Sequence, residues 1–306
     1  MKKVMKCVCM IVLVALPFTS CNKAEKKHSS TFRATIKDAG FEVVGEDKAY
    51  VAPDNTIQFE QGDVCMIFNI DENHPANSQC ATYEALESGN FVEFQNCGLG
   101  EVAEDRLDYF IAFYPGGSDR LQSQLGEDYN KAKFIIPEEQ NYRENMVSRG
   151  DLIMSAMVNK TKLSQGRFVF ESIMGVLQLQ PYESAQRSVT KIEVIDNFIN
   201  LTGEMILRID ELDKDKSSIV FDAMDGSKAE NNKMTLNLPS GGVQLGNSKA
   251  STPKFNIALR PLAMYNGCHI VFTFDDGNVK DVEIASNVIY IKPNVVTNVG
   301  LNLDNY

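Results

Sequence analysis

From Thr31 to the C-terminus the chain is written in short runs of alternating apolar and polar residues, and that period of two constrains its fold more than any other feature. TFRATI, TIQF, VCMIF, FVEF, YFIAFY and KFII occupy the first half. RFVF, VLQLQ, KIEVI, MILRI, SIVF, MTLNL, FNIALR, HIVFTF, VKDVEI, NVIYI and VGLNL follow in the second. Strand side chains point alternately to opposite faces, so these runs, rich in β-branched and aromatic residues, predict antiparallel strands with one buried face. HIVFTFDDGNVKDVEI is the clearest hairpin: Asp276-Gly277 supplies the positive-φ positions of a tight turn between two alternating runs. GEVAEDRLDYF and GEDYNKAKF offer a turn or two of helix and no long apolar stripe, which argues against an α/β fold.

The chain has 306 residues, 43% of them hydrophobic, enough for two cores. The fold expected is all-β, two β-sandwiches in tandem. The polar, glycine-containing stretch from Val158 to Arg167 separates two groups of strands and marks the expected boundary, giving units over residues 31–160 and 165–306.

Lys2, Lys3 and Lys6 precede an apolar run from Cys7 to Phe18, which ends at Thr19-Ser20-Cys21. A membrane-spanning helix needs roughly 20 apolar residues, so this shorter run reads as the core of a signal peptide over residues 1–20. The pattern resembles a bacterial lipobox in which Phe18 takes the usual leucine position, and Cys21 then becomes the acylated first residue of the mature protein. Several acyl chains together give stable membrane anchoring. The alternative is an ordinary cleaved signal with Cys21 incidental. Residues 21–30, polar and without periodicity, read as a tether.

With Cys7 and Cys9 in the signal and Cys21 acylated, four cysteines remain. Cys65 and Cys268 have apolar neighbours and read as reduced core residues. Cys80 and Cys97 stand in loop-like sequence and are the candidate disulfide.

A formal charge of −11 gives no basic face for nucleic acid. HExxH, GxSxG, Walker and Rossmann patterns are absent from the sequence. Gly98/Gly100 and Gly241/Gly242 read as turns, and the acidic stretch from Asp213 has Ser218 and Met224 where a calcium loop needs Gly and Glu. His28, His74 and His269 read as structural. Neither an enzyme, nor a metal site, nor a cofactor is expected.

TIQFEQGDVCMIFNI, with Gln61-Gly62-Asp63 as a turn between two apolar strands, resembles a hallmark of the fimbrillin family of Bacteroidales surface proteins. FRATI, YFIAFYP (Tyr109 to Pro115), IPEEQNY (Ile136 to Tyr142) with DLIMSA, FVFESIMGVLQLQ (Phe168 to Gln180) and LTGEM resemble successive elements of the same family, in the same order. Physical roles stand beside the likeness: Gly62-Asp63 turns the chain, and Pro115, lacking an N–H, ends pairing after Tyr114.

The resemblance implies two transthyretin-like sandwich domains and a stalk, anchor or tip protein of fimbriae at the outer membrane, supporting adhesion or biofilm formation. It also implies partners: other subunits through β-strand addition, the membrane through acyl chains, and a host or bacterial surface ligand. In polymerising members a trypsin-like protease removes the N-terminal strand, and the C-terminal strand of another subunit fills the groove, main-chain hydrogen bonds giving affinity. Arg33, inside the expected first strand, is the candidate position for such Arg-specific cleavage, and the preceding tether holds no arginine. Val295, Val296, Val299, Leu301 and Leu303 form either a donor strand or the last strand of their own domain. A reading from another class is a non-polymerising lipoprotein that binds glycans for nutrient uptake; the lack of Trp speaks against its aromatic platform.

Overall fold

The computed structural model describes residues 31–36, 42–44, 59–70, 79–89, 91–97, 109–116, 121–122, 131–144, 147, 151–159, 167–213, 218–225, 229–285 and 288–306. The signal-peptide run, Cys21 and the tether lie outside them. So do His28, His74, Gly98, Gly100 and most of both helix-permissive stretches.

Strands account for nearly all regular structure, and no α-helix occurs among the described residues. The first eight are β1 (Thr31–Ile36), β2 (Glu42–Val44), β3 (Val64–Ile70), β4 (Gln79–Ala85), β5 (Phe91–Asn96), β6 (Tyr109–Tyr114), β7 (Leu121–Gln122) and β8 (Lys131–Ile136). There follow β9 (Glu139–Asn141), β10 (Met154–Asn159), β11 (Arg167–Ser172), β12 (Gly175–Tyr182), β13 (Ser188–Asp196), β14 (Thr202–Asp213), β15 (Ser218–Asp225) and β16 (Ala229–Asn231). The last are β17 (Lys233–Asn237), β18 (Val243–Gln244), β19 (Phe255–Leu259), β20 (Leu262–Met264), β21 (Cys268–Phe274), β22 (Val279–Ile284), β23 (Ile289–Ile291) and β24 (Val295–Asn302). A 3₁₀ turn, Leu303–Asn305, follows β24.

The period of two is realised as burial. In β21, Cys268, Ile270, Phe272 and Phe274 are buried while the residues between them are only partly so. The predicted hairpin also forms: β21 pairs antiparallel with β22, Thr273 opposite Val279, and Gly277 takes φ +80°.

Two expectations are corrected. The first sheet is a closed barrel, β1-β11-β10-β6-β3-β4-β5, and not a two-sheet sandwich, because β1 pairs on one side with β5 and on the other with β11. Pairing is mixed: β1–β11, β12–β24, β17–β9 and β2–β24 are parallel. The division between residues 160 and 165 is crossed repeatedly. β11 joins the barrel beside β10, whereas β8 and β9 pair with β14 and β17, and β2 pairs with β24. The remaining sheets run β19-β12-β24-β2, β22-β21-β13-β17-β9, β15-β14-β8-β7 and β20-β23.

Aromatic rings fill the barrel. Phe59 packs edge-to-face on Phe94, Tyr114 and Phe170 at 5.1–5.6 Å between ring centres, the geometry that aromatic quadrupoles favour. Ile192, Val194, Leu236, Ile257 and Phe272 are buried in the C-terminal sheets.

Candidate functional site

The two terminal strands carry the residues that the sequence singles out, so the candidate site is built from them. In β1 the alternation turns Phe32 and Ala34 into the barrel, both buried, and leaves Arg33 outside and exposed. The Phe32 ring stacks parallel on Phe94 at 5.2 Å and meets Tyr83 and Phe168 edge-on at 4.8 and 5.0 Å. These rings belong to β4, β5 and β11, so a single side chain ties the first strand to three others. Arg33 is in register with Glu93 of β5 and Arg167 of β11, and its guanidinium stands 5.7 Å from the Phe91 ring centre. Strand pairing on both sides holds the peptide bond after Arg33, so a protease reaches it only when β1 leaves the barrel.

The turn ahead of β3 braces the barrel end near Tyr114. Gly62 adopts φ +87°, and the Asp63 carboxylate accepts the Glu60 N–H at 2.8 Å. Burial pushes the Asp63 pKa up to about 6, against the lowering effects of the Tyr114 hydroxyl and the Arg143 charge. Pairing runs one bond beyond Pro115, since the Gly116 N–H donates to Val64 O at 2.6 Å. A Cβ on Gly116 would lie 2.5 Å from the Cys65 backbone, so only glycine fits there.

At the other end, Val295, Val296, Leu301 and Leu303 are buried, and Val299 packs against the same core. β24 is seated between β12 and β2. Polar contacts fasten its end. Asp304 accepts the Ser184 N–H and hydroxyl, each at 3.0 Å, and Lys280 Nζ donates to Leu303 O. Beneath them Glu183, with 1% of its side chain exposed, binds Arg187 through Nε–Oε1 at 2.9 Å and Nη2–Oε2 at 2.8 Å. The Lys280 ammonium stands 3.6 Å from the same carboxylate, and Arg187 lies 3.7 Å over the Phe274 ring. Burial alone would raise the Glu183 pKa; the Arg187 hydrogen bonds and both cations hold it below the ordinary range.

The Cys80–Cys97 disulfide is not formed, and Cys65, Cys80, Cys97 and Cys268 are all free thiols. Register supplies the reason. Tyr83 faces Asn96 and the Cys97 N–H donates to Thr82 O, so Cys97 lies diagonally from Cys80. Diagonal neighbours stand about 7–8 Å apart, their Cβ atoms somewhat less, whereas a disulfide needs Cβ atoms roughly 4 Å apart.

His269 forms a surface pair with Asp281 at 2.9 Å, and no group of three metal-ligating side chains occurs among the described residues. Gly241 and Gly242 take positive φ in a turn. Sequence reasoning missed Glu183, Arg187 and Asp304, whose partners are distant in the chain or hidden in polar runs. It also missed an exposed aromatic group: Tyr265 (64% exposed) meets Tyr290 (49%) edge-on at 6.0 Å. Phe198 (74%) stands on an adjoining loop, joined to the turn that carries Tyr265 where Asn197 Nδ2 donates to Asn266 O at 3.1 Å.

No protein-family model matches the sequence, and neither does any curated protein at significance. Solved structures do match. A candidate cell adhesion protein from Bacteroides ovatus superposes with a TM-score of 0.51 at 13% identity, covering 89% of this chain and 91% of that one. The chain has the fold of that Bacteroides protein. A second candidate cell adhesion protein, from Bacteroides uniformis, gives a TM-score of 0.47 at 12% identity over 90% of this chain and 94% of the other. The tip fimbrial protein Mfa3 of Porphyromonas gingivalis gives 0.40 at 11% identity over 84% and 81%.

Proposed function

We propose that the chain is a fimbrillin-type surface subunit, acylated at Cys21, that joins other subunits by β-strand addition at the cell envelope. The observation that carries the reading is the placement of β1. It closes the barrel between β5 and β11 with two inward side chains, and its loss would leave a slot lined by Phe94, Tyr83 and Phe168. A replacement strand would recover the hydrogen bonds of both neighbours and refill that slot with alternate side chains. The shared fold and the lipobox-like N-terminus support the same reading.

As it stands the molecule is closed at both ends, with β1 in the barrel and β24 fastened in its own sheet. That state fits an anchor, a terminal subunit or a precursor awaiting cleavage at Arg33. The N-terminal residue of protein isolated from cells tests it. Acyl-Cys21 supports the anchor or precursor, and a new terminus beside Arg33 supports a processed subunit. An unacylated chain found in no surface filament refutes the proposal. The exposed Tyr265–Tyr290 pair favours a second reading, glycan binding. Binding on a glycan array that disappears in Tyr265→Ala and Tyr290→Ala supports it, and unaltered binding or none refutes it.

A further inference from the structure

Strand addition raises a question about the edges this fold leaves open. β19 is the outermost strand of the sheet β19-β12-β24-β2, with β12 as its neighbour on one side. All five of its residues are buried. An edge strand turns one row of N–H and C=O groups away from its sheet, a template for pairing with another chain unless something covers it.

The segment Ile136 to Tyr142 lies across that edge. Its strand β9 belongs by backbone to the opposite sheet: Gln140 is in parallel register with Leu236, Thr235 N–H donates to Glu138 O at 2.9 Å, and Tyr142 N–H donates to Asn237 O at 2.8 Å. The Gln140 side chain instead crosses to β19. Its Nε2 donates to Ala258 O at 2.7 Å, and its Oε1 accepts the Ala258 N–H at 2.9 Å. Those are the two bonds that an added strand would make with Ala258. A primary amide alone among neutral side chains offers a donor and an acceptor side by side, as a peptide unit does. Gln140 is 1% exposed, and the Tyr142 ring packs on Phe255, at the start of the same strand, 5.4 Å between centres.

We infer that Gln140 seals the free edge of β19, so that the Pro/Gln segment is a guard against strand addition at the wrong place. The inference rests on the proposed assembly only for its consequence, that an open β19 would compete with the β1 slot for incoming strands. The guard itself is a property of the single molecule.

Hydrogen exchange at the Ala258 amide and light scattering of the mature chain test it. In the unmodified protein the Ala258 amide exchanges as slowly as buried strand amides in the same sheet; exchange at the rate of an exposed edge amide overturns the inference. In Gln140→Met, which keeps the length and removes both hydrogen bonds, protection at Ala258 falls at least tenfold and a concentration-dependent dimer appears. A monomer with Ala258 still protected overturns the inference. Should that variant fail to fold, the exchange rate in the unmodified protein decides alone. Filament formation in cells is scored separately, so a failed assembly model and a failed guard give different results.

Discussion

β1 and β24 each run between two neighbouring strands, β1 between β5 and β11 and β24 between β12 and β2, but they are fastened by different chemistry. Ring contacts from Phe32 hold β1, and the backbone beside them carries an arginine facing outward. β24 is longer, eight residues against six, and the turn that follows it is tied by the Asp304 hydrogen bonds to Ser184 and by the Lys280 ammonium, which donates to Leu303 O and stands 3.6 Å from the Glu183 carboxylate. Apolar packing is non-directional and accepts any strand with the right alternation. Charge-assisted hydrogen bonds are directional and fix one geometry. The difference teaches what the proposed assembly would require: an N-terminal strand held by packing that any matching strand could supply, and a C-terminal strand held by contacts particular to its own seat.

The largest effect that would break this comparison lies at Phe32. Phe32→Ala leaves a cavity among three rings and is expected to cost about 3–5 kcal/mol, read by chemical denaturation. The same variant should be cut by trypsin after Arg33 much faster than the parent. A large loss of stability with no change in cleavage would show that β1 stays in place without its ring.

Arg187→Ala is next, at about 3 kcal/mol, the lower end for breaking a buried pair, because it leaves the buried Glu183 carboxylate with Lys280 alone as counter-charge. Its pH dependence has a definite sign. In the parent the Glu183 pKa is depressed, so its stabilisation is present above the ordinary carboxylate value and lost as pH falls through the folded one. Without Arg187 burial dominates and raises that pKa, so the variant's deficit is greatest at neutral pH and shrinks in acid. A deficit independent of pH, measured by thermal melts between pH 4 and 8, would mean that Arg187 acts through its stacking on Phe274 instead.

How much of this was legible in advance follows from what alternation encodes. It states which residues face inward, and the inward set Phe32, Ala34, Cys268, Ile270 and Phe272 follows from it. A tight turn also encodes its own partner, as Asp276-Gly277 does for β21 and β22. Alternation carries no information on which distant strand is the neighbour or in which direction it runs, so β1 beside β11 could not be read. Gln140 was hidden for a related reason. A glutamine among Glu138, Glu139 and Asn141 looks solvated, and its role exists only once β19 is placed opposite it.

A smaller effect is expected at Asp63. Its folded pKa of about 6 exceeds the unfolded value, so the native state binds the extra proton and stability falls as pH rises through the interval from about 4 to 6. Asp63→Asn keeps an acceptor for the Glu60 N–H and removes the charge. It should therefore flatten that part of the pH–stability curve and match or exceed the parent at pH 7. A variant that loses stability at every pH would show that the Tyr114 hydrogen bond needs the carboxylate.

The smallest effect is chemical, and it tests the register on which the barrel depends. Cys97 is exposed and Cys80 partly buried, while Cys65 and Cys268 are enclosed. Burial raises all four thiol pKa values, Cys80 and Cys268 to about 11. Thiol titration at pH 8 should find Cys97 first and Cys80 slowly, with Cys65 and Cys268 reacting only after unfolding, four thiols among the described residues. A Cys80–Cys97 bridge would leave two. It would also require β4 and β5 to slip by two residues, which would move Phe94 from opposite Ala85 to opposite Tyr83. Both rings touch Phe32 in the observed register, so the bridged protein would hold its first strand differently, and trypsin sensitivity at Arg33 would change with the thiol count.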